Sequence, residues 1–225
     1  MGSDMDGDQP GAQKVHILAG FSGSQPDGGS ATSPDGSAGP IYAFKASLMG
    51  PPQVFRVAPD ALQWEIGRYS GRIPYGAIRR VRLLYRPANL QTQRFLTEIW
   101  AAQAPKLKVS SVSWASLTEQ RRQDAAYIAF VEALHRRLAD ARTEAVFDAG
   151  SPPWLYWPGV VVFVGIAVAI ALLIVRGLQE GALIGAAVAG VFLAFYLWQL
   201  GTFFRRNRPG RYRPDAIPAA VLPGG

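Results

Sequence analysis

Cysteine is absent from the 225 residues, and histidine occurs only twice, at His16 and His135. The first absence excludes disulfides, thiolate catalysis and Cys-based metal sites within this chain. The second leaves no His pair at a spacing that would build a metal site. Asp60, Glu65, Glu98 and Asp124 stand singly, without the local pairing that general acid and base work calls for. The glycines around Gly28 and Gly29 do not lead from a strand into a helix, so a phosphate cradle is unsupported. From these gaps we expect no enzyme activity, no catalytic or metal-ligating residues and no cofactor. His135, beside Arg136 and Arg137, reads as a helix-surface residue.

Charge is missing from two long stretches, Ala149 to Val175 and Gly181 to Phe204, which are split only by Arg176-Gly-Leu-Gln-Glu180. Roughly 20 apolar residues span a bilayer as a helix, so each stretch is long enough to cross. The expected result is a transmembrane helical hairpin over residues 149–204. The first segment is rich in Val, Ile and Leu and should insert alone. The second is richer in Gly and Ala and should depend on packing, for which Gly181, Gly185 and Gly190 supply small residues at close spacing. Trp154, Tyr156 and Trp157 open the hairpin and Trp198 nears its end, as expected of interface anchors. Arg205, Arg206 and Arg208 follow at once. By the positive-inside rule both termini are cytoplasmic and Gly177 to Glu180 lies on the far side. Neither stretch contains a charge of the kind that marks ion or proton pathways, which argues against such a pathway within one hairpin.

Residues 1–53 are expected to be a disordered extension, because Gly, Ser, Pro and Asp leave too little apolar surface to offset the entropy of ordering. Met49 then stands as a candidate true start. From about Val54 to Phe147 the pattern is of short strands followed by one helix. Val54 to Ala58 and Leu62 to Ile66 read as a hairpin about Pro59-Asp60, followed by strands at Arg72 to Tyr75, Arg79 to Arg86, Gln93 to Ala101 and Lys106 to Ser113. In the fourth strand Val81, Leu83 and Tyr85 should face the core, with Arg80, Arg82, Leu84 and Arg86 opposite. Ser116 with Glu119 reads as a capping box, and Tyr127, Phe130, Val131, Leu134 and Leu138 then fall on one helical face.

This strand order, the segment Arg72-Ile-Pro-Tyr-Gly-Ala-Ile-Arg-Arg-Val-Arg82 and the terminal helix resemble a bacterial pleckstrin-homology-like domain. The wider resemblance is to bacterial membrane proteins that join such a domain to two membrane helices and a tail like Asn207 to Pro218, although Gly210 departs from the basic residue expected there. The resemblance implies an α+β fold: a small antiparallel barrel, residues 54–148, capped by a C-terminal amphipathic helix and followed by the hairpin. It also implies no catalytic activity. Residues 205–225 complete the chain as a basic, Pro-rich tail, read as coil.

The net charge is +7, and the positive excess belongs to the middle domain and the membrane flank. Arg79, Arg80, Arg82, Arg86, Lys106 and Lys108 are candidates for contact with anionic lipid headgroups or with a partner. No nucleic-acid motif accompanies them. The expected function is a non-catalytic adaptor anchored in a bacterial inner membrane, with the bilayer and either a protein partner or further copies of itself as partners. The alternatives are an oligomeric transport or channel component and an anionic-lipid-binding module.

Overall fold

The computed structural model describes residues 39–87, 92–116 and 119–224. Residues 1–38 of the expected extension lie outside these. Four strands, β1 (Ile41–Lys45), β2 (Pro52–Val57), β3 (Ala61–Ile66) and β4 (Tyr69–Pro74), form an antiparallel meander in that order. A 3-10 turn at Tyr75–Ala77 leads into a second meander of β5 (Ile78–Tyr85), β6 (Phe95–Ala101) and β7 (Leu107–Ser110). A short hairpin, β8 (Val112–Trp114) with β9 (Gln120–Arg122), precedes helix α1 (Asp124–Asp140). After β10 (Val146–Ala149) come the two long helices α2 (Pro153–Gln179) and α3 (Leu183–Arg206). The chain ends in β11 (Gly210–Arg211) and a 3-10 turn at Ala219–Val221.

Three expectations for the domain need correction. The fold is α+β, but the strands do not close into a barrel, nor are they all antiparallel: the second sheet has the order β11-β10-β5-β6-β7, and β10 runs parallel to β5. With β10 on that edge, β5 cannot pair with β4, and closure is blocked there. Second, residues 39–53 are not a loose extension. Tyr42 and Phe44 of β1 are buried, Tyr42 packs against Phe44, Tyr127 and Phe130, and its hydroxyl donates to the Ser110 carbonyl at 2.6 Å. A chain starting at the exposed Met49 would lack this strand. Third, α1 begins at Asp124 and not near Ser116. The capping-box contact exists, since the Glu119 N–H donates to Ser116 Oγ at 3.2 Å, but it sits in the β8–β9 turn, where Gln120–Arg122 pair with Val112–Trp114.

The core fills the space between the meanders and α1. From α1 come Tyr127, Phe130, Val131, Leu134 and Leu138, the stripe that helical periodicity puts on one face. Val81, Leu83, Phe95, Ile99, Leu107 and Val109 face them from the second sheet. The Tyr127 hydroxyl and Thr97 Oγ1, 2.8 Å apart, satisfy each other inside it.

Residues 205–225 were expected as coil, and instead the described residues after α3, 207–224, pack onto the domain. β11 pairs antiparallel with β10, Asp148 opposite Arg211 and Ala149 opposite Gly210. Tyr212 packs on Phe147 and His135, and Val221 is buried in the core with Ile217 and Leu222 against it. The prolines prevent a helix but do not prevent docking.

Both long helices are apolar and long enough to cross a membrane, and almost none of either is buried in the protein. At the domain end their seam is aromatic: Phe163 lies 5.2 Å from the rings of both Tyr196 and Phe204, and Tyr156 lies 5.8 Å from Phe204. At the far end Gly177 meets Ala186. Gly181, Gly185 and Gly190 do not make the seam. Gly181 has φ +78 in the connection between the helices, where glycine is favoured, and Gly185 and Gly190 have open space where a side chain would stand. The aromatic contacts carry the seam at the domain end, and the glycines of α3 make no close contact in it.

Candidate functional site

Strand alternation places five charged residues on the outer face of the second sheet in one line across all its strands: Arg211, Asp148, Arg82, Glu98 and Lys108. Asp148 is in register with both Arg211 and Arg82, Arg82 with Glu98, and Glu98 with Lys108. The sign alternates at every step. Opposite charges at directly opposed positions favour the pairing, whereas like charges would oppose it. Asp148 Oδ2 also draws in Arg80, with Nε at 3.4 Å, beside Arg82 Nη2 at 3.2 Å. Lys106 Nζ lies 2.7 Å from Glu98 Oε1 and 4.3 Å from the Trp100 ring centre, while Arg82 approaches the same ring at 5.5 Å.

The six basic residues expected to form one patch are therefore divided. Arg80, Arg82 and Lys106 are engaged by carboxylates. Arg79 is exposed at a bulge between Ile78 and Arg80, and Lys108 is exposed at the β7 edge. Arg86 lies beyond the end of β5, at the side of the sheet from which the hairpin leaves. Asp148, Glu98, Trp100 and Arg211 are the members that the sequence reading missed. The alternation within β6 was a usable signal for Glu98. Nothing local places Asp148 or Arg211 beside β5, because their registers depend on a parallel pairing and on a return across more than 50 residues.

The hairpin is rooted in this sheet at both ends. The Gly150 N–H donates to the Leu83 carbonyl at 2.8 Å, and the Ser151 N–H donates to the Asn207 carbonyl at 3.0 Å. Gly150 has φ +75, and a Cβ there would collide with the carbonyls of Asn207 and Arg208. Asn207 is buried, with its side-chain oxygen accepting from the Tyr85 N–H and its amide donating to the Phe203 carbonyl, each at 3.2 Å. Of the expected membrane anchors, Trp154, Trp157 and Trp198 are well exposed, and so are Arg205 and Arg208. Tyr156 turns inward against Phe204. Arg206 also turns toward the domain, its guanidinium 5.1 Å from the Tyr85 ring centre and 5.9 Å from that of Phe95.

His135 is not on the helix surface. It is buried, with Nδ1 at 2.7 Å from the Val131 carbonyl and Nε2 at 2.8 Å from the Tyr212 hydroxyl. A carbonyl only accepts, so Nδ1 carries the proton and Nε2 accepts from Tyr212. Burial pushes the His135 pKa down to about 4, against the Val131 contact, which favours the charged form. Burial likewise raises the Tyr212 pKa, which keeps its hydroxyl a donor. A shallow cleft of about 320 Å³ between the β4 end and α1 is lined by Asp60, Tyr75, Arg137 and Asp140. Asp60 is paired with Arg72, and the Tyr75 hydroxyl donates to the Ala58 carbonyl. Among the described residues no group of three metal-ligating side chains lies together. Comparison with family models, with curated proteins and with solved structures finds no match to this chain.

Proposed function

We propose that this chain is a non-catalytic adaptor that holds a pleckstrin-homology-like domain at the cytoplasmic face of a bacterial inner membrane. One observation carries the reading: the apolar hairpin is inserted between β10 and β11, two strands paired with each other, so domain and anchor share one sheet. The order of a four-stranded meander, a three-stranded meander and a helix supports the pleckstrin-homology-like assignment. The charge ladder leaves a patterned face of mixed sign, which suits a protein partner better than a uniform anionic surface. A transport role receives less support, because the seam between the helices is aromatic and small-residue contact and contains no acidic, basic or histidine side chain.

Topology reporters fused at Gln179 and after Gly225 test the anchor. A cytoplasmic signal after Gly225 with none at Gln179 is expected, and a cytoplasmic signal at both sites would sink the reading. Cross-linking in native membranes with mass spectrometry tests the adaptor role: a heterologous protein joined through Lys106 or Lys108 is expected, and cross-links confined to copies of this chain would favour the oligomeric alternative.

A further inference from the structure

One group of arginines outside the ladder stands where the hairpin leaves the sheet. Tyr85 and Phe95 are the last cross-strand pair of β5 and β6, their rings 5.3 Å apart. One step beyond them stand Arg86 and Arg94. The Arg86 N–H donates to the Arg94 carbonyl at 2.8 Å, and Arg94 Nε donates back to the Arg86 carbonyl at 3.2 Å, which ties the two backbones side by side. Two guanidinium groups at opposed positions repel. Burial, with the Arg86 charge adding to it, lowers the Arg94 pKa. Arg206 reaches the same corner from α3, over the Tyr85 and Phe95 rings, and the exposed Arg205 and Arg208 flank it in sequence. Among the described residues, Arg86, Arg94, Arg205 and Arg208 pair with no carboxylate.

Arg80 and Arg82, by contrast, share Asp148, and six residues of strand set Arg80 roughly 20 Å from Arg86. Among the described residues, arginines without a carboxylate also stand elsewhere on the surface, Arg56, Arg79 and Arg137 among them, but Arg86, Arg94, Arg205 and Arg208 are the ones at the base of the apolar hairpin. That base is the level at which a bilayer presents its phosphates. A guanidinium fork bonds two phosphate oxygens at once, and several forks around one phosphate relieve their mutual repulsion.

We infer that Arg86, Arg94, Arg205, Arg206 and Arg208 form a site for the phosphate-bearing headgroup of an anionic phospholipid. The inference rests on the membrane reading above. It moves lipid contact away from Arg79, Arg80, Lys106 and Lys108 and onto the hairpin root.

The test uses the full chain in neutral detergent micelles, doped with phosphatidylglycerol or phosphatidylcholine, with bound lipid counted by native mass spectrometry. Preferential retention of phosphatidylglycerol is expected, and R86Q/R94Q should weaken it roughly tenfold. Since Arg94 is half-buried, R205Q/R208Q on exposed positions gives an independent measure with the same expected direction. R79Q/K108Q, on the sheet face, should leave retention unchanged. Equal retention of the two lipids overturns the site, as does an equal loss in R79Q/K108Q. Displacement of the lipid by millimolar inorganic phosphate also overturns it, by assigning the arginines to a soluble anion. Failure of the membrane reading looks different: alkaline carbonate would then strip the wild-type protein from membranes.

Discussion

His135 makes the clearest residue-scale prediction. Its pKa near 4 in the fold, against about 6.5 in an unfolded chain, means that the unfolded state binds more protons between those values. Stability from the neutral imidazole is therefore complete above pH 6.5 and is lost as pH falls through that window toward 4, by about 3 kcal/mol in all. Thermal unfolding of the wild type and of His135→Gln should diverge least at pH 4 and most at pH 7, and parallel pH profiles would contradict the buried neutral tautomer. The sequence misled here for a definite reason. His135 shares the apolar stripe with Val131 and Leu138, yet its neighbours Arg136 and Arg137 suggested water, and the group that satisfies it, Tyr212, is 77 positions away. A polar residue on an apolar stripe is readable as buried only once its distant partner is known.

At the scale of elements, the strands β2 to β7 and the apolar face of α1 were legible, because alternation and the 3.6-residue period are local properties. β1 and the C-terminal segment were not. Tyr42 and Phe44 are surrounded by Gly, Ser and Pro, and Tyr212, Ile217 and Val221 are scattered between prolines, so neither segment carries a period. What orders them is burial against distant surfaces. Val221→Asp places a carboxylate in the core and should cost about 3 kcal/mol or more. A fall in the melting temperature of the detergent-solubilised protein, with helix content kept, is the expected readout. An unchanged melting temperature would mean that the tail is coil, as the sequence suggested. The register of the charge ladder was half hidden, since two of its four steps, β11 to β10 and β10 to β5, join strands that no local pattern pairs.

At the scale of the molecule, the hairpin is a large insertion into the turn of a small β-hairpin. Ala149 and Gly210 already stand opposite each other, at the spacing that a two-residue connection bridges. Replacing residues 150–209 by Asn-Gly should therefore give a domain that folds in water with the pH response of His135 intact. A chain stopped at Ala149 should not, because it lacks β11, Tyr212 and Val221. Heat-capacity scans of both distinguish the outcomes, and a linked form that unfolds no more cooperatively than the stopped one would refute the insertion view.

The insertion also fixes a sequence of events during synthesis. A ribosome makes β1 to β10 first, then α2 and α3, and only afterwards the residues that cover Phe147 and accommodate His135. The domain thus leaves the exit tunnel with its last core positions empty and an edge of β10 unpaired. It can close only after the apolar helices have folded back to bring Gly210 beside Ala149. Completion of the domain is thereby made to wait for the two long helices, and a chain whose helices fail to pair is left with an incomplete core.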